Sequence, residues 1–174
     1  MFSYALLLLF FPAVMIFAAA SDLLTMTISN RLSIALVLGF FAAAYVVDMS
    51  LANVGWHLLA ALAVLTVAFG CFSFGWIGGG DAKLAAAISL WFGFAHLTDY
   101  LVLAALLGGA LTLIILVARY MPLPSLLLRQ PWIARLHAMN SGVPYGIALA
   151  AAGLMIYPDT DYMRFAAFVR AFGI

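Results

Sequence analysis

Gly78-Gly79-Gly80-Asp81-Ala82-Lys83 places an acid and a base in a polar island inside a chain that is otherwise nearly all hydrocarbon. The run before it, 54–74, and the run after it, 82–95, are predominantly apolar. Across all 174 residues, 68% are hydrophobic, only 7% are charged, and glutamate is absent. Mean hydropathy is +1.23. A water-soluble domain of this length needs a larger polar surface than that. Because the apolar runs are unbroken rather than alternating, they are read as helices and not as strands of an outer-membrane barrel. The fold class expected is therefore all-α: a polytopic helical membrane protein, residues 1–174 forming one membrane domain.

Six spans are predicted, at about 2–20, 32–47, 54–74, 82–95, 100–118 and 143–157. Pro12 is expected to kink the first. That first run has no basic flank and is long enough to cross, so it is read as a span and not as a cleaved leader. The fourth is short. Its residues cover about 21 Å as a helix against a hydrocarbon core of roughly 30 Å. Asp81 and its glycines are then expected below the headgroups, where irregular backbone needs protein or a water-filled cavity around it. His96-Leu97-Thr98-Asp99 is read as the loop that follows.

Lysine and arginine orient the chain. Arg31, Lys83, Arg119, Arg129 and Arg135 fall on one side, and Arg164 and Arg170 on the other. The positive-inside bias then puts the Asp22 and Asp81 ends in the cytoplasm. Two segments read as interfacial anchors. One is the tail face of Phe165, Phe168, Val169 and Phe172, at helical spacing; the other is the leucine- and arginine-bearing stretch 126–136.

Several chemistries are excluded or disfavoured. A net charge of +1 with no basic cluster points away from nucleic acid. One cysteine, Cys71, allows no intrachain disulfide and no CxxC pair. His57, His96 and His137 are too far apart in sequence for a metal-ligand motif, so no metal or other cofactor is expected.

Of the six acidic residues, Asp48, Asp99, Asp159 and Asp161 fit hydrated loops or the tail. Asp22 and Asp81 each abut a long apolar run, and the span count brings them to one membrane face. Carboxylates in such places are costly, so they commonly serve function or pair with something. Two of them in a wet pocket suit aspartic-protease chemistry, in which one activates a water and the other protonates the carbonyl oxygen. Helix dipoles favour the anion at Asp81, at a helix start, over Asp22, at a helix end. On that basis Asp81 is the resting base and Asp22 the resting acid.

Plainer readings stand beside this one. Asp22 could be an interfacial residue paired with Arg31, and the glycines a tight turn with Asp81 as an N-cap. The pair could also bind a cation or relay protons in a small ion- or proton-coupled transporter. Lys83 lies about 200° round the helix from Asp81, so it faces elsewhere, snorkelling to phosphates, holding the loop or meeting substrate.

Ser21-Asp22-Leu23, Ile28-Ser29-Asn30, Gly78 to Lys83 and Val143-Pro144-Tyr145-Gly146-Ile147-Ala148 occur in an order that resembles the type IV prepilin peptidases. The chain is most similar to the short branch serving Flp-type pili, the CpaA/TadV group. The resemblance implies an aspartic endopeptidase of the bacterial cytoplasmic (inner) membrane that cuts the short leader of a prepilin at the cytoplasmic face. Asp22 and Asp81 take its catalytic positions, with Gly78, Gly79, Gly80, Lys83 and Asn30 as supporting motif residues. Longer members carry two CxxC pairs and methylate the new N-terminus; with one cysteine, this chain is expected to lack methyltransferase activity. Implied partners are the prepilin and membrane lipid.

Overall fold

The computed structural model describes residues 2–160 and Met163, with side chains from residue 9 onward. The proposed tail face at Phe165 to Phe172 lies outside the described residues. The described residues are helical, with no strand among them. The helices are α1 (Phe2–Thr25), α2 (Asn30–Val46), α3 (Leu51–Ser73), α4 (Gly79–Arg119), α5 (Ser125–Leu128), α6 (Pro131–His137) and α7 (Gly146–Ile156), with a 3-10 turn at Tyr157–Asp159. Ser29 and Ser50 start α2 and α3, their side chains accepting from the N–H groups of Arg31 and Asn53.

α4 corrects the expected boundary between the fourth and fifth spans. His96 to Asp99 is helical, not a loop, and the chain breaks three residues earlier at Gly93, where φ is 55° and ψ is −169°. That conformation is open essentially to glycine alone. The break is also a reversal. Asp81 and Thr112 line one cavity, although an unbroken helix would hold them about 46 Å apart. Ala85 likewise lines one groove with Leu97 and Leu101. α4 is thus two antiparallel limbs, 79–92 and 94–119. The helix end at the break leaves carbonyls without intrahelical partners. His57 of α3 takes one of them, its Nδ1 lying 2.8 Å from the Leu90 carbonyl oxygen; because that oxygen only accepts, Nδ1 carries the proton.

The first limb is the axis of the molecule. Every residue from 84 to 93 is buried, and the alanines at 85, 86 and 87 let neighbouring helices approach closely. α1 meets it through Phe11 against Trp91, with ring centroids 5.1 Å apart. α2 accepts the Trp91 indole N–H at the Leu36 carbonyl, 3.0 Å away. α7 lays Gly153 against Ile88.

The exterior is apolar. Phe17, Leu38, Leu62, Val67, Leu106, Leu113 and Ile114 are all exposed. Two helices, α3 and α4, are long and apolar enough to cross a membrane, and their most apolar windows are only 17% and 11% buried. A core helix of a soluble protein hides such a window; here it faces outward, as in a protein whose solvent is lipid. α7 is shorter than the sixth span expected, and 126–136 is divided between α5 and α6 instead of forming one surface helix.

Candidate active site

Asp22 lies in the last turn of α1, one turn from its end, not in the connection after it. The helix stops at Thr25 because Met26 takes a positive φ of 52°. That strained residue is held by its neighbours: Ser21 Oγ donates to the Thr27 carbonyl at 3.0 Å, and Thr25 Oγ1 donates to the Ser21 carbonyl at 2.7 Å. The 26–28 stretch forms one wall of a cavity of about 910 Å³.

Asp81 is the third residue of α4, and Gly78, not Asp81, occupies the N-cap position. From there the Asp81 side chain folds back toward Gly78 at the helix start. The glycine run does not depend on unusual backbone at its start. Gly78 is in ordinary extended geometry, at φ −72° and ψ 145°, and the positive φ in this turn belongs to Gly75. The three glycines provide room. A Cβ on Gly78 would sit 3.0 Å from Asp81 Oδ2, one on Gly79 3.2 Å from the Phe72 ring, and one on Gly80 3.2 Å from Ile28 Cβ. Their absence lets the first turn of α4 close against the last turn of α3 and the 26–28 connection while the carboxylate stays unobstructed.

Asp22 and Asp81 line the same cavity and are within electrostatic reach of each other. Asp22 is only 4% exposed, and its Oδ2 accepts from the backbone N–H of Gly146 at 2.7 Å. Gly146 begins α7, so Asp22 faces the N-terminal end of that helix. The expected dipole contrast between the aspartates is therefore overturned. Each meets a helix N-terminus, Asp81 that of its own α4 and Asp22 that of α7, and the dipoles do not rank one as base and the other as acid.

The supporting residues divide. Lys83 Nζ donates to Asn30 Oδ1 at 3.0 Å, tying the first turn of α4 to the first residue of α2. Both are exposed and neither lines the cavity, so Lys83 acts as a strap across the rim. Arg31 is not the partner that holds Asp22; Gly146 is.

Sequence reasoning missed three contributors. Gly146 supplies the N–H to Asp22 from 124 residues away. Tyr145 lines the cavity and donates from its hydroxyl to the Ala104 carbonyl at 3.3 Å. Arg119, counted only as a topology charge, is 8% exposed; it donates at 2.8 Å to the Leu136 and Gly142 carbonyls and to Ser141 Oγ. The one available signal was the Pro144-Tyr145-Gly146 block, which carried no indication of what it touches.

A model described as the type IV leader peptidase family matches residues 9–113. The chain belongs to the type IV leader peptidase family. The matched stretch contains both aspartates, Asn30 and the 78–83 motif, and it ends before the Tyr145-Gly146 corner. No curated protein and no solved structure matches the chain. Among the described residues no cluster of histidine, cysteine and acidic side chains could hold a metal.

Proposed function

We propose that this leader peptidase is an aspartic endopeptidase of the bacterial inner membrane that removes the leader of Flp-type prepilins through Asp22 and Asp81. The observation that carries the reading is the convergence of these two carboxylates on one cavity, each at a helix N-terminus, with Asp22 Oδ2 held by the Gly146 N–H. In this reading the two carboxylates facing one cavity share one proton, because the second ionisation works against the first. The ionised member takes a proton from water as its oxygen attacks the scissile carbonyl carbon. The protonated member gives its proton to the carbonyl oxygen. Collapse of the resulting diol re-forms a carbonyl, and the departing nitrogen leaves as an amine with a proton from the pair.

The site opens at the end of the molecule where Lys83, Arg119 and Arg135 make their contacts; Arg135 Nη1 donates to the Leu24 carbonyl at 3.2 Å. Clustered positive charge at that end supports a cytoplasmic active site in a multi-pass protein. Its one cysteine supports cleavage without methyl transfer.

The test is co-expression with a prepilin precursor, read as a size shift. The wild type is expected to process the precursor. Asp22→Asn and Asp81→Asn, inserted at normal levels, are each expected to leave it uncut. Processing at near wild-type rate by either variant would exclude the two-aspartate mechanism.

A further inference from the structure

Asp22 owes its buried hydrogen bond to a backbone group, so its geometry is only as fixed as the corner that carries Gly146. That corner, Pro144-Tyr145-Gly146, is preceded by the irregular residues 138–143. Two anchors hold it. The first is a notch in the second limb of α4 at Gly108. A Cβ there would lie 2.2 Å from the Tyr145 ring carbons and 2.3 Å from its hydroxyl oxygen, so the ring occupies the space that any side chain at 108 would fill. The second is the buried Arg119 guanidinium, whose three hydrogen bonds end on Leu136, Ser141 and Gly142. Ser141 Oγ in turn donates to the Arg135 carbonyl at 2.6 Å. Gly146 itself has no latitude: a Cβ would lie 2.8 Å from Asp22 Oδ2 and 2.6 Å from Ile28 Cδ1.

We infer that Tyr145, seated in the Gly108 notch, is a positioning residue for the leader peptidase reaction, holding the Gly146 N–H on Asp22 Oδ2 and so fixing the orientation of that carboxylate. This rests on the two-aspartate reading given above. The ring does the holding. At 3.3 Å, the hydroxyl's bond to Ala104 is at the long end of the range and contributes little. A misplaced catalytic group loses more in rate than in substrate affinity, although Tyr145 also lines the cavity and its loss alters one wall.

Gly108→Ala expels the ring and Tyr145→Ala removes it. Each is expected to lower kcat for precursor cleavage on the order of tenfold to a hundredfold, with a smaller rise in KM as the ring leaves the cavity wall. The double variant is expected to be no worse than the poorer single, because both changes break one contact. Tyr145→Phe keeps the ring and is expected to restore kcat to within about twofold of wild type. A readout independent of catalysis uses glycine labelled with 15N in detergent-solubilised protein. The Gly146 amide proton, assigned by its loss in Gly146→Ala, is expected downfield in the wild type and in Tyr145→Phe, and shifted upfield in Gly108→Ala, Tyr145→Ala and Asp22→Asn. Unchanged kcat and an unmoved Gly146 resonance in Gly108→Ala would overturn the anchor. So would Tyr145→Phe falling as low as Tyr145→Ala. Should wild-type protein leave the precursor uncut while the resonance still follows the notch variants, the peptidase reading falls and the anchor stands.

Discussion

Gly146 and Asp22, 124 residues apart, are joined by a 2.7 Å hydrogen bond from backbone N–H to Oδ2, and a side chain at 146 would collide with that oxygen. Two helix ends thereby meet at one carboxylate: the C-terminal turn of α1 presents Asp22, and the first residue of α7 supplies its donor. Gly146→Ala is expected to reduce kcat on the order of a hundredfold. It is also expected to destabilise the protein by about 1–3 kcal/mol, since a methyl group is forced into a packed site. Cleavage assays with melting of the purified protein in detergent separate the two effects.

On the proposed two-aspartate mechanism, the shared proton is expected to give the reaction a bell-shaped dependence on pH. As pH falls, the ionised carboxylate gains a proton and the base is lost; as pH rises, the remaining proton leaves and the acid is lost. A wild-type rate profile with two limbs is expected from cleavage of a purified precursor across pH. A profile flat through the acid range would exclude a carboxylate pair.

At the turn between the limbs of α4, Gly93→Ala puts a side chain on a φ of 55° and 2.9 Å from the His57 ring. Backbone strain there costs about 1–3 kcal/mol, and overpacking adds a similar amount. His57→Ala leaves the Leu90 carbonyl without that donor, costing about 1–3 kcal/mol. Thermal melting in detergent should rank Gly93→Ala below His57→Ala and both below the wild type.

Lys83 and Asn30 are exposed and joined at 3.0 Å, so their bond is screened by solvent. Lys83→Met and Asn30→Ala should each change stability by less than about 1 kcal/mol, and the double variant should match the singles if the strap is their only shared role. Cleavage is expected to fall only modestly in each, on the order of a few-fold, as the rim loosens. Loss comparable to Asp81→Asn would instead place Lys83 at the reacting bond.

Topology is open to a labelling test in a Cys71→Ala background. Thr27→Cys and Gly142→Cys line the cavity, and Ser50→Cys lies beyond the far end of α2. In intact cells an impermeant thiol reagent is expected to modify Ser50→Cys alone, and the other two only after the membrane is opened. The reverse pattern would invert the proposed orientation.

The sequence by itself pointed to an all-helical, apolar fold and to the two carboxylates on which the proposed function rests. An apolar fraction that no soluble surface can carry forces helices into lipid, and the expense of placing aspartate beside hydrocarbon marks Asp22 and Asp81 without any coordinates. It also showed that the run after Asp81 is too short to cross alone. Where that run ends was not legible. The polar letters His96 to Asp99 resemble a loop, whereas the chain reverses at Gly93, because the backbone conformation of the turn admits glycine and because α3 delivers His57 to the orphaned Leu90 carbonyl. The electrostatic setting of Asp22 was likewise beyond sequence. Local position put it at the unfavourable end of α1, and only the packing of α7 against α1 brings a second helix N-terminus and the Gly146 N–H to it. Backbone donors leave no letter in a sequence, so their positions are decided by tertiary structure alone.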